Sequence, residues 1–142
     1  MTTAAVVYCS RTGITRRYAE EIGRHLTSRG LATSVASVGD ADFDAVAAAD
    51  VVLLGSWTSG LMVVLQHPDG PWVSFVRRLP PLRGTVGLFT TYKLLTGSMF
   101  GRMRAELPGA PTVRVALKSR NGQLSEADRR ALDALADAAK AG

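Results

Sequence analysis

The chain is predicted to fold as a three-layer α/β domain: a doubly wound, five-stranded parallel sheet in the order 2-1-3-4-5, with helices on both faces. Three observations predict it. Apolar periodicity alternates between the strand repeat and the helix repeat along the whole length. The runs Ala4 to Tyr8 and Val51 to Leu54 are continuously apolar, as strands covered on both faces require. A length of 142 residues suits a single domain over 1–142 with a sizeable core. Strands alternating with helical segments imply right-handed crossovers and hence parallel pairing.

The first strand is Ala4 to Tyr8. Thr15 to Arg29 follows as an amphipathic helix that buries Tyr18, Ala19, Ile22 and Leu26, with Gly30 as its stop and His25 on its solvent side. Ala32 to Ala36 alternates enough for a short second strand, and Asp42 to Ala49 reads as a weak, alanine-rich helix. Val51 to Leu54 is the third strand, ended by Gly55. The residues from Trp57 to Gly70 show no clear period and read as a long binding loop. Pro71 can open the next helix, whose apolar face is Trp72, Phe75, Val76 and Leu79. Thr85 to Thr90 is the fourth strand, and a helix marked by Met99, Phe100, Met103 and Leu107 ends at Pro108-Gly109. Thr112 to Ala116 is the fifth strand. Ser125 caps a last helix that buries Leu132, Leu135, Ala136 and Ala139.

Composition narrows the function classes. The hydrophobic content of 46% is ordinary, and no run is long or pure enough to span a membrane. The N-terminus lacks the layout of a signal peptide, so a cytoplasmic protein is expected. The single cysteine, Cys9, excludes an intramolecular disulfide and is expected to be an inert core thiol. The two histidines, His25 and His67, lie far apart and have no metal-ligand spacing. The net charge is +5, and between Pro71 and Arg120 Glu106 is the only acid among nine basic residues. That field favours an acidic partner or an anionic ligand. Nucleic acid is disfavoured, because the basic residues lack the interleaved aromatics that stack on bases.

In a doubly wound sheet a ligand sits beyond the carboxyl ends of strands one and three. The chain leaving strand one reads Ser10-Arg11-Thr12-Gly13-Ile14-Thr15 and passes straight into a helix. Backbone N–H groups, hydroxyls and the positive end of the helix dipole then converge where a phosphate can sit. The loops after strands three and four read Gly55-Ser56-Trp57-Thr58-Ser59-Gly60 and Thr90-Thr91-Tyr92-Lys93-Leu94-Leu95-Thr96-Gly97-Ser98. Each sets an aromatic among small or hydroxyl residues, placing Trp57 and Tyr92 to sandwich a flat ring. No Ser/His/Asp or Cys/His set lines up with this place, so no catalytic residues are assigned.

The segment from Val6 to Ile22 resembles the phosphate-binding loop of the flavodoxin family. Val6, Val7, Tyr8, Ser10, Thr12, Gly13, Thr15, Ala19 and Ile22 fill every position of the family pattern. With the two later loops, the resemblance covers nearly the whole chain. It implies a flavodoxin-like fold and FMN as cofactor. It further implies that Ser10, Thr12, Gly13, Ile14 and Thr15 hold the phosphate; Arg11 or Arg16 can add charge there in place of the donor that Ile14 lacks. Trp57 and Tyr92 would flank the ring, and Gly55, Ser56, Thr58, Ser59, Gly60, Thr90, Thr91 and Gly97 would lie along it. The implied role is a one-electron carrier between redox partners rather than a stand-alone oxidoreductase. A flavin-dependent NAD(P)H:quinone or small-molecule reductase, and a flavin-free interaction module, are the alternatives. Two departures stand out. Ile14 replaces a hydrogen-bonding residue common in the family. The surroundings of the ring are basic, with Lys93 and only Asp69 as a carboxylate, whereas flavodoxins are typically acidic; a redox partner with an acidic docking face is therefore expected.

Overall fold

The computed structural model describes residues 1–61, 64–93, 96–109 and 111–141, with backbone alone over 59–61 and 64–67. Strand β1 (Thr3–Cys9) leads into helix α1 (Ile14–Ser28), followed by β2 (Ala32–Ser37), α2 (Phe43–Ala48) and β3 (Val51–Trp57). Two short strands, β4 (Ser59–Leu61) and β5 (Val64–His67), precede α3 (Gly70–Arg77). Then come β6 (Thr85–Thr91), α4 (Met99–Glu106), β7 (Val113–Ser119) and α5 (Glu126–Ala141). The main sheet is parallel throughout, in the order β2-β1-β3-β6-β7. Counted among its own five strands, that is 2-1-3-4-5, as predicted.

Neighbouring residues on a strand point to opposite faces, and the core divides accordingly. Val6 and Leu53 pack with Tyr18, Ile22, Leu26, Phe89, Leu132 and Leu135, under α1 and α5. Val7, Val52, Leu54 and Leu88 of the sheet pack on the other face with Val46, Trp72, Phe75, Val76, Met99 and Met103, from α2, α3 and α4. The register brings the strand ends level: Cys9 pairs with Ser56, Ser56 with Thr90, and Thr91 with Ser119.

Two sequence expectations need correction here. Strand β3 does not end at Gly55 but continues through Ser56 to Trp57. Gly55 is there because of a close approach: a Cβ on it would stand 2.1 Å from the Phe89 ring. The stretch from Trp57 to Gly70 is not an irregular loop throughout, because β4 and β5 pair antiparallel across it, Ser59 with His67 and Leu61 with Val64. Strands of three and four residues are too short for a period to register. Residues 62 and 63 of that stretch lie outside the described residues.

A buried polar knot joins α1 to α5. The Tyr18 hydroxyl donates to Asp128 Oδ2 at 2.8 Å, and the Tyr18 ring meets Phe89 edge-on at 5.9 Å. The same Asp128 oxygen accepts the Ser125 N–H at 3.2 Å, while Ser125 Oγ accepts the Asp128 N–H at 3.0 Å. That reciprocal pair is a capping box, with aspartate in the usual place of glutamate. Burial, then the Asp128 carboxylate, push the Tyr18 phenol well above its ordinary range. His25 is not on the solvent side but lies between the helices, 2.7 Å from Asp133. We predict that Asp128→Ala lowers unfolding stability by about 2–3 kcal/mol, since it removes a cap and strands a buried hydroxyl. Asp137→Ala, which removes only an exposed pairing with Arg29, should cost less than about 0.5 kcal/mol. Urea unfolding of the two variants beside the parent chain compares them directly.

Candidate functional site

The turn between β1 and α1 is set by one glycine and one serine. Ser10 Oγ accepts the Gly13 N–H at 3.0 Å, and Gly13 takes a left-handed φ of 94° at the helix N-cap. That conformation is costly for any residue with a Cβ. Gly13 O then accepts the Arg17 N–H at 3.0 Å, which starts the helical ladder. The N–H groups of Ile14, Thr15 and Arg16 precede that bond and have no intrahelical partner. No acidic residue stands in the first turn of α1, and nothing lies within 4 Å of where a Gly13 Cβ would be. Amides and dipole thus open onto free space suited to an anion. Arg11, Thr12 and Gly13 are exposed, Ser10 and Ile14 half-buried.

Several hydroxyls from the predicted site are turned inward. Thr15 is buried, and its Oγ1 is 2.5 Å from Thr91 Oγ1 at the end of β6. Buried Thr90 donates through Oγ1 to the Ser56 carbonyl at 2.6 Å and lies 2.9 Å from Thr58 Oγ1. The Thr58 N–H donates to the Thr91 carbonyl at 2.8 Å. Ser56 Oγ donates to the Trp57 carbonyl at 3.0 Å and accepts the Asp69 N–H at 3.2 Å. Ser56, Thr90, Thr91 and the Thr15 hydroxyl therefore brace the loops against one another. Gly55 sits inside β3 against Phe89. Ser59 and Gly60 lie on β4, and exposed Gly97 turns at φ 51° just ahead of α4. Leu94 and Leu95 of the fourth-strand loop lie outside the described residues.

The two aromatics are half-buried at the ends of adjacent strands, each beneath cations. The Arg11 guanidinium lies over the Trp57 ring, 5.2 Å from its centroid. Trp57 packs against the core below, and its buried indole Nε1 has no hydrogen-bond partner among the described residues. Tyr92 has Lys118 Nζ at 5.9 Å and Arg120 Cζ at 5.3 Å over its ring, and its N–H donates to the Ser119 carbonyl at 3.2 Å.

The loop after β7 was not singled out from the sequence, and it borders the site. A Cβ on Gly122, at φ 80°, would stand 2.7 Å from the Ile14 carbonyl, and Arg17 donates to the Asn121 carbonyl at 3.3 Å. The turn dipeptide Asn121-Gly122 after a strand was the available signal. Asp69 is the carboxylate beside β1: Cys9 Sγ donates to its Oδ2 at 3.6 Å. Burial, then the Asp69 charge, push the Cys9 thiol up to about 11. Among the described residues no cluster of His, Cys, Asp and Glu could hold a metal ion, and no helix is long and apolar enough to cross a membrane.

Residues 6–66 match the flavodoxin family profile, and the whole chain superposes on solved flavodoxins. The flavodoxin of Megasphaera elsdenii aligns at a TM-score of 0.76 and 24% identity, over 97% of this chain and 99% of that one. The chain has the flavodoxin fold. Flavodoxin 2 of Bacillus cereus aligns at 0.70 and 19% identity, over 99% of each chain. The fold also matches 37% of the rubredoxin oxygen:oxidoreductase of Desulfovibrio gigas, at 0.75 and 17% identity over 99% of this chain. No curated protein matches the sequence. FMN is the cofactor of the flavodoxin family. The residues present fit such a group: an amide-lined turn free of carboxylates opens onto space, beside a tryptophan with an unpartnered indole N–H.

Cys9 of this flavodoxin-like protein should stay a protonated, unreactive thiol at pH 8. Iodoacetamide labelling of the folded protein should be slow there and rise only as the pH approaches 11. Asp69→Asn removes a charge that raises the thiol's pKa, so labelling should begin at lower pH.

Proposed function

We propose that this protein, acting as one domain over 1–142 in the cytoplasm, binds FMN and carries electrons one at a time between redox partners. The observation that supports this most directly is the Gly13 turn, which opens the α1 N-terminus onto free space next to Trp57. In this reading the N–H groups of Ile14, Thr15 and Arg16 and the Thr12 hydroxyl hold the phosphate, and Arg11 supplies positive charge. Ile14 serves through its backbone alone, so its departure from the family pattern removes a side-chain donor without closing the site. Trp57 and Tyr92 bound the ring, while Ser56, Thr58, Thr90 and Thr91 fix the walls on which they stand. FMN, when bound, supplies the electron acceptance and donation; the protein supplies position, exclusion of water and charge.

The charge around this site is positive. Arg11, Lys93, Lys118 and Arg120 are exposed at the carboxyl end of the sheet, and Asp69 is the carboxylate identified there from the sequence. A partner with an acidic docking face is the complementary choice. The same field favours added negative charge at the ring, and each tenfold of stabilisation is worth roughly 59 mV in a one-electron couple.

A fluorescence titration of flavin-stripped protein tests the binding. FMN should bind more tightly than riboflavin by roughly tenfold or more, the value of one charge-assisted contact to the phosphate. Equal affinities would remove the phosphate role from the β1–α1 turn, and no binding of either would remove the function. Electrostatics gives a separate check. The second one-electron potential should lie some tens of millivolts above that of an acidic flavodoxin at matched ionic strength. Electron transfer to an acidic ferredoxin should slow with added salt, and transfer to basic cytochrome c should not.

A further inference from the structure

The position of Arg11 goes further. It belongs to the turn that would hold the phosphate, yet its guanidinium rests over the Trp57 ring, 5.2 Å from the centroid. Trp57 is half-buried, with its other packing against the apolar core. The face beneath Arg11 is therefore the one left for a flat ligand to stack on. Arg11 itself is exposed, on a turn whose shape is held by the Ser10–Gly13 hydrogen bond and not by the arginine side chain. Its side chain can leave the ring without disturbing the turn.

We infer that Arg11 is a self-stacking cap on Trp57 that a phosphorylated flavin displaces and then recruits to its phosphate, so that Arg11 discriminates between phosphorylated and unphosphorylated ring ligands. The inference rests on the FMN reading above. A flat ring without phosphate must compete with the guanidinium for the tryptophan and offers nothing in return. A ring carrying a phosphate gives the displaced cation a dianionic partner within the same turn, next to the α1 amides. Guanidinium suits both positions, since it is planar enough to stack on an aromatic face and forked enough to bind two phosphate oxygens. Lysine at this place would keep the charge and lose most of the stacking.

The test compares FMN and riboflavin affinities of the flavin-stripped parent, Arg11→Ala and Arg11→Lys by flavin fluorescence. Arg11→Ala should bind riboflavin roughly two- to fivefold more tightly, the value of an exposed cation–π contact removed from competition. It should bind FMN roughly tenfold more weakly, through the lost charge-assisted contact. Arg11→Lys should share the gain for riboflavin and recover most of the FMN affinity. In the unliganded protein, acrylamide quenching of tryptophan fluorescence should increase in Arg11→Ala; Trp72 is fully buried, so the change reports Trp57. Parent protein that binds FMN, with variants whose two affinities move together or not at all, would overturn the cap and leave the FMN reading standing. Parent protein that binds neither flavin overturns both. Unchanged quenching also counts against the cap, whatever the flavins do.

Discussion

Thr15 and Thr91, 76 residues apart in the chain, share a buried hydrogen bond of 2.5 Å, and the loops at the carboxyl end of the sheet are hung from it. Thr15 is in the first turn of α1, so this bond fixes where the helix N-terminus points relative to β6. The next residue back, Thr90, holds the Ser56 carbonyl and faces the Thr58 hydroxyl, and the Thr58 N–H returns to the Thr91 carbonyl. Three loops from distant parts of the chain are thus tied by four hydroxyl-bearing residues in a region where most side chains are apolar. Buried polar groups of this kind are stabilising only when all are satisfied. Here they satisfy one another.

That division of labour separates what is fixed from what is free. The α1 N-terminus presents its backbone amides through the turn at Gly13, and neither the amides nor the turn depends on the charge of neighbouring side chains. The surface around it can therefore carry either sign without altering the fold. In this chain it carries positive charge, concentrated on residues whose side chains lie over aromatic rings: Arg11 on Trp57, and Lys118 and Arg120 on Tyr92. The aliphatic stems of such residues cover apolar ring surface while their heads remain near water. The rings are thereby kept from being bare apolar patches.

The sheet and its winding order were legible in the sequence because each rests on a local signal. The apolar runs at Val6-Val7 and Val51 to Leu54, the helical spacing of Tyr18, Ala19, Ile22 and Leu26, and the turn at Gly13 all act within a few residues. What was not legible depends on contacts between segments far apart. Gly55 reads as a strand stop until Phe89, 34 residues later, is seen lying against it. That Ser56, Thr90 and Thr91 brace the loops was not readable, because hydroxyls near a ligand site and hydroxyls that brace it have the same local sequence. The β4–β5 hairpin gave no period because its strands are too short to have one. The loop after β7 came into view only when the register aligned Thr91 with Ser119 and set Gly122 against the Ile14 carbonyl.

The close approach of Gly122 to Ile14 also bears on the substitution of an apolar residue into the turn. The Ile14 carbonyl faces the β7 loop at a distance that only a glycine there allows, and Arg17, one turn along α1, holds the neighbouring Asn121 carbonyl. The backbone at Ile14 is consequently fixed from the side away from the free space, and its N–H is presented outward whatever side chain the residue carries. A hydrogen-bonding side chain at this position would add a donor to a place already organised by backbone. In the proposed FMN reading, its absence shifts the remaining side-chain share of anion recognition onto Thr12 and Arg11, the two exposed residues of the turn with a donor to give. Arg11 is the only charged one of the pair, and it is also the one engaged with Trp57. In that reading, loss of the donor at Ile14 and the stacked position of Arg11 are two sides of one arrangement, in which recognition of the anion and access to the ring depend on the same side chain.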